Sequence, residues 1–248
     1  MGSEMCIRDS KRTIKSGPLT EIEYYRSFRK IGKNYGGRKI NQSLTPEKQK
    51  RANRMRAIKN MQRLILCNFT SGDYFVRLSV PRAELTEDKF EKIASKWKRK
   101  MRDAFRKIGK KFKYISFTEC GKLGKNWHMH IIVEREALEF VQKFWEYDGI
   151  NFTALYQSGY YEKLAEYITK DVAGEKRIRT ARCLKKPDVT VKEAGRREIK
   201  KLERGEMIKI PDGYFLLKDD DNYNYNEITG ASWYFAFLPL AYEKFDIS

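Results

Sequence analysis

Residues 113–133 read KYISFTECGKLGKNWHMHIIV. Two apolar runs, KYISFTE (113–119) and WHMHIIV (127–133), flank the polar turn CGKLGKN, a pattern that predicts an antiparallel hairpin. The second strand holds both histidines of the chain, His128 and His130. Residues two apart on a strand share a face, so the two imidazoles start roughly 7 Å apart and can hold one metal ion. Met129 and Ile131 point the other way, into packing. Glu119 closes the first strand, where hairpin pairing can set it opposite His128. Two imidazoles and a carboxylate leave positions open for water or a phosphate oxygen. By ligand type alone Zn, Mn or Fe(II) would suit. Cys120 should face away and is not counted as a ligand.

Before the hairpin, YFVRLSV (74–80) reads as a strand ended by Pro81. Thr86 can cap a helix with Glu87 and Asp88 in its first turn. Phe90, Ile93, Ala94, Trp97, Met101, Phe105 and Ile108 recur at helical spacing, and Gly109 is a natural stop. After the hairpin come a helix over 138–145, a short strand over 152–156, and a helix from Ser158 that ends before Gly174. The order β-α-β-β-α-β-α predicts an α+β domain, with an antiparallel sheet of about five strands backed by helices.

The flanks are read more coarsely. The opening MGSEMCIRDS (1–10) continues into no periodic pattern and reads as a non-native scar. Residues 11–64 are expected to be a basic extension, wandering over 11–43 and then helical from Thr45-Pro46-Glu47. Residues 65–248 are expected to form the main domain, with a basic stretch to about Arg204 and strands near 214–217 and 232–238.

Lys and Arg number 52 against 33 Asp and Glu, a net charge of +19 that gathers polyanions. Nucleic acid is the partner this implies. No apolar run of about 18 residues predicts a membrane span, and the first residues lack the apolar core of a signal peptide. Four scattered cysteines argue against a zinc ribbon or a disulfide framework and fit a reducing cytoplasm. No phosphate-binding loop of an ATPase is present.

The last chemical element is Tyr167-Ile168-Thr169-Lys170. On a helix, Tyr161, Leu164, Ala165, Ile168 and Val172 form an apolar face. Tyr167, Lys170 and Lys163 fall off it. Phosphodiester cleavage needs a nucleophile and a counter-charge for the phosphate oxygens. Tyr167 can supply the first and Lys170 part of the second, with the metal polarising the phosphate. The product would be a phosphotyrosine ester.

These residues resemble the HUH endonucleases, and within them the rolling-circle replication initiators of phages, plasmids and integrated elements. His128-Met129-His130 is similar to the family's His-hydrophobic-His motif, and Glu119 stands where many members carry a third ligand. Tyr167 to Lys170 matches the Tyr-x-x-Lys motif. YFVRLSV, with Ser79, looks like a divergent first motif that lacks the usual threonine. RTARCLKKP (179–187) is similar to bacterial members. Lys163 stands where two-tyrosine members carry their other tyrosine, so the resemblance implies a single-tyrosine enzyme. It further implies a ferredoxin-like core, Mg²⁺ or Mn²⁺, an origin hairpin of single-stranded DNA as substrate, and a host helicase for unwinding. Arg77, Ser79, Lys163, Arg177, Arg179, Arg182, Lys185 and Lys186 are the expected DNA contacts. A relaxase or transposase of the same superfamily shares this chemistry. A single-strand-binding module would use the 13% aromatic content for base stacking but leaves the His pair, Glu119 and Tyr167 unexplained. A histidine-triad hydrolase needs a further histidine where Ile132 stands.

Overall fold

The structure, a computed structural model, describes residues 7–28, 46–80, 85–121, 126–156, 158–170, 178–206, 208–217 and 233–241. The chain divides into two compact units, residues 64–186 and residues 1–63 with 187–248. Its strands are β1 (Ile7–Ser16), β2 (Leu19–Phe28), β3 (Tyr74–Ser79), β4 (Tyr114–Cys120), β5 (Trp127–Val133), β6 (Gly149–Ala154), β7 (Arg179–Thr180), β8 (Asp188–Glu193), β9 (Tyr214–Leu216) and β10 (Trp233–Pro239). Its α-helices are α1 (Pro46–Leu66), α2 (Glu87–Lys107), α3 (Leu138–Phe144), α4 (Glu162–Thr169) and α5 (Arg196–Glu203).

The central unit carries the expected β-α-β-β-α-β-α order. Its five-stranded sheet runs β6-β3-β5-β4-β7, with every pair antiparallel. Counted from β3, the first four strands stand in the order 4-1-3-2, the ferredoxin-like arrangement. One sheet face presents Val76, Leu78 and Val80 beside Met129, Ile131 and Val133. Phe90, Ala94, Trp97, Met101 and Phe105 of α2 pack onto it with Val141 of α3. Each such side chain contributes roughly 1.5–3 kcal/mol on burial, so this face is what closes the sheet under its helices. Thr86 is the N-cap of α2 but makes no side-chain cap bond. Ile108, expected to extend the apolar line, is instead the C-cap residue and is exposed. Gly109 has φ of 71°, the left-handed turn that ends such a helix. β6 begins at Gly149, earlier than the Phe152 suggested by apolarity, because pairing with β3 continues to Ser79↔Gly149.

Lys98 of α2 is only 5% exposed. Burial pulls its ammonium down to about 8, with Glu91 opposing. The unfolded chain titrates this group near 10.4, so between these values it binds more protons than the fold, and stability rises with pH there. Lys98→Met is therefore expected to stabilise the protein by about 1–3 kcal/mol at pH 7, with an advantage that shrinks by pH 10. Urea unfolding at both pH values measures this, and an equal gain at both would contradict it.

The other unit departs from the sequence reading. Its five-stranded sheet runs β8-β1-β2-β10-β9 and is also antiparallel. Residues 11–28, expected to wander, form a hairpin of ten paired positions that begins inside the supposed scar at Ile7. A two-residue turn joins its strands, and Gly17, φ 56°, takes the position that a type II′ turn gives to glycine. β10 pairs with β2, so the C-terminal strands complete this sheet rather than extend the central one. The basic stretch before Arg204 contains β8 and α5. Ile199 and Leu202 of α5 cover one sheet face at Tyr24, Trp233, Phe235 and Phe237. On the other face α1 sends Arg63 to Glu21, with contacts of 2.7 and 3.0 Å. Thr45, the expected cap of α1, lies outside the described residues.

Candidate metal and tyrosine site

The second face of the central sheet carries Glu119, His128 and His130. Across the ladder, Ser79 pairs with His128 and His128 with Glu119; Arg77 pairs with His130 and His130 with Phe117. Directly paired residues point to the same side, so these side chains form two adjacent rows. His128 Nε2 lies 3.6 Å from Glu119 Oε2, and His130 Nε2 lies 3.4 Å from the same oxygen. One ligand atom from each of the three residues falls within 4.8 Å of the others. Ligands about 2.1 Å from a shared ion stand about 3.0–3.4 Å apart in octahedral or tetrahedral geometry. The spacing and the donor set therefore fit a divalent ion.

Local structure fixes the imidazoles. His128 Nδ1 sits 3.2 Å from the carbonyl of Asn126, so as donor it leaves Nε2 free to act as a ligand. Asn126 has φ of 69°, a left-handed conformation that asparagine tolerates better than most residues, and it turns the chain into β5. Burial lowers the His128 pKa, and Arg77 adds to this against Asn126 and Glu119, which favours the neutral, ligating form. The His130 ring packs against both Phe75 and Phe117, with centroids 5.1 and 4.9 Å away.

Tyr167 completes the cluster. The chain enters α4 through Tyr160 and Tyr161, both left-handed. Tyr161, Ala165 and Ile168 are buried, as the helical spacing predicts. Tyr167 stays 39% exposed, and its hydroxyl donates to Glu119 Oε2 at 3.1 Å and lies 3.3 Å from His130 Nε2. Its ring meets Phe75 and Phe117 edge-on. Burial, then the charge and hydrogen bond of Glu119, push its hydroxyl up to about 12, with Arg77 opposing. Four residues from two strands and one helix, with Glu119 and Tyr167 48 positions apart, thus meet at one oxygen.

The expected DNA contacts divide. Arg77 is exposed on the site face, and its charge acts on both His128 and Tyr167. Lys163, one turn before Tyr167, is exposed, as are Arg182, Lys185 and Lys186. Lys170 does not stand on the helix beside Tyr167: α4 ends at Thr169, and Lys170 is its extended C-cap, exposed. Arg179 pairs with Ser116 on the opposite, helix-covered face and binds Glu91 at 3.0 Å, so it is turned from the His–Glu rows. Its odd position in the register is the reason. Arg177 lies outside the described residues. Ser79 donates to the carbonyl of Gly149 at 3.3 Å, a strand-packing contact. Two exposed residues were missed, Asn151 and Thr153 of β6, which pair with Arg77 and Phe75 on the site face. Their alternation with half-buried Ile150 and Phe152 was the signal available.

The Ser79 contact constrains Gly149. A Cβ there would lie 2.0 Å from Ser79 Oγ and 2.7 Å from Ser79 O. Gly149→Ala is expected to destabilise by about 1–3 kcal/mol because backbone must move. The double variant with Ser79→Gly should recover only part of this, since the carbonyl clash remains. Thermal unfolding of the two variants measures the difference.

Fold and site together define an α+β domain with a three-ligand candidate metal centre and an adjoining tyrosine. Residues 73–172 match the family model of replication-associated protein ORF2/G2P. That span holds Glu119, His128, His130, Tyr167 and Lys170, and the match supports a replication-associated initiator protein. No curated protein and no solved structure matches the chain. Among the described residues, no helix is long and apolar enough to cross a membrane.

Proposed function

We propose that the protein is a rolling-circle replication initiator of the HUH type, which nicks single-stranded DNA through Tyr167. The observation that carries this reading is the Tyr167 hydroxyl within hydrogen-bond reach of Glu119 and His130. Glu119, His128 and His130 would hold Mg²⁺ or Mn²⁺. When bound, the ion would neutralise the scissile phosphate and polarise its phosphorus.

The protein groups have separable roles. The phenolic O–H of Tyr167 points its proton at Glu119 Oε2, leaving the oxygen to bond to phosphorus. As that bond forms, the bond from phosphorus to the 3′ oxygen breaks. The phenolic proton leaves, and the 3′ oxygen takes up a proton to become a hydroxyl. The 5′ phosphate remains on Tyr167 as an ester, and the reverse reaction rejoins strands. Arg77, on the same face, supplies positive charge for the phosphate oxygens. Lys170 is a second cation for that role. Lys163, Arg182, Lys185 and Lys186 would contact the strand backbone. A relaxase or transposase would use the same centre; the family match favours replication.

The test is covalent trapping. Labelled single-stranded DNA pools are mixed with the protein and Mn²⁺, denatured, and resolved by electrophoresis. A shifted, protease-sensitive band that disappears with chelator is the expected result. Tight DNA binding with no band from any origin-containing pool would overturn the nickase reading in favour of a binding module.

A further inference from the structure

The two rows of the metal site continue across the sheet. One runs Glu119, His128, Ser79 and Gly149, and the other Phe117, His130, Arg77 and Asn151. A third row adds Phe75 and Thr153. The β4–β5 end of these rows is built up, because Phe117 and His130 meet the ring of Tyr167. The β3–β6 end is different. There the metal row finishes on a serine and a glycine, which leave a low floor beside His128. Arg77, Asn151 and Thr153 are all exposed. β6 is the edge strand of the sheet.

These three side chains are not used by the fold. Among the described residues, none of them makes a side-chain hydrogen bond or an ion pair. β6 is held by its other face, where Ile150 and Phe152 pack against the core. Neighbouring strands stand about 4.8 Å apart, so Arg77 is one spacing from His130 and Asn151 two, about 10 Å. A strand whose phosphate lies at the metal ligands can therefore lay a base over this edge.

The chemistry of the groups separates their tasks. Arg77 carries a charge and suits phosphate oxygens. Asn151 is neutral and offers an acceptor beside two donors. Phosphate oxygens only accept, so the amide carbonyl has no use for them. A base edge presents donors and acceptors side by side and can satisfy both ends of the amide. In a single strand that edge is not taken by a complementary base. We infer that Asn151 is a specificity-determining residue, whose amide reads the edge of one base of the strand that Arg77 holds at the Tyr167 centre. The inference rests on the nicking reading and adds to it a means of choosing sequence.

The test selects sequences without cleavage. The full chain carrying Tyr167→Phe is equilibrated with a single-stranded DNA library of randomised sequence, and the bound strands are sequenced. The parent is expected to enrich a motif. Asn151→Ala should reduce the preference at one motif position roughly tenfold and leave the other positions as they were. Its affinity for an unselected strand should stay within about threefold of the parent. Arg77→Gln should instead weaken binding to every sequence and lower the log–log salt slope by about 1. A motif unchanged at every position in Asn151→Ala overturns the inference. So does a parent that enriches no motif, or a loss spread evenly over all positions, which would mark a packing defect. Because no adduct is read, failure here is distinct from failure of the nicking assignment.

Discussion

Tyr167→Phe is expected to abolish the covalent protein–DNA adduct while leaving single-strand affinity near that of the wild type. The change removes one oxygen, the atom that would form the ester. The phenyl ring remains to meet Phe75 and Phe117 edge-on. The side chain is partly exposed, so the fold should lose no more than about 0.5–1 kcal/mol. Loss of the nucleophile should lower adduct yield by at least about 10³-fold, since no neighbouring group can take over ester formation without rebuilding the site. Nearly normal binding separates this from a folding defect. An undiminished adduct would place the nucleophile elsewhere. Tyr160, half-buried just before α4, would then be the residue to replace next.

The second large effect concerns the imidazoles. Wild-type protein is expected to gain thermal stability with added Mn²⁺, because an ion that binds only the folded state stabilises it by about 2.7 kcal/mol at a hundred times its dissociation constant. His128→Gln or His130→Gln should remove most of that gain and lower adduct formation by about 10²-fold or more. Glutamine preserves much of the volume, which matters for His130 packed against two phenylalanines. Without metal the variants should melt within a few degrees of the wild type. Calorimetric unfolding with and without Mn²⁺ is the measurement. A full Mn²⁺ shift in both variants would remove the candidate centre, whatever the DNA assays show.

Much of the central unit was legible because its residues obey simple periods. His128 and His130 sit on β5, whose other face is apolar at Met129, Ile131 and Val133, and hairpin pairing sets Glu119 of β4 opposite His128. Tyr167 stands off the apolar line of α4 and therefore looks outward from the core. Lys170 was misplaced because helical spacing was extended one residue too far. Arg179 was misjudged because β7 has two residues and shows no alternation from which a face can be read. The second sheet was hidden for a different reason. β2 buries Glu21 and Glu23, so its inward positions look like solvent-facing ones until Arg63, Arg12 and Tyr234 are seen around them. β8 is exposed along its whole length, Val189 and Val191 included, so its short apolar alternation marks no buried face.

The interleaving of the two units also bears on the order in which the chain can fold during synthesis. Everything that builds the ferredoxin-like sheet lies within one continuous stretch, so it can collapse soon after residue 186 leaves the ribosome. The β1–β2 hairpin is made first, yet two of the strands flanking it, β8 and β10, are made after that stretch. Until then its sheet edges are open, and its pairing with β10 closes a loop of roughly two hundred residues, a slow, high-separation step. The nascent protein should thus own a folded Tyr167 centre before its other sheet exists. Pulsed proteolysis of ribosome-bound chains stalled near residue 220 should release a resistant central fragment and a digestible amino-terminal hairpin.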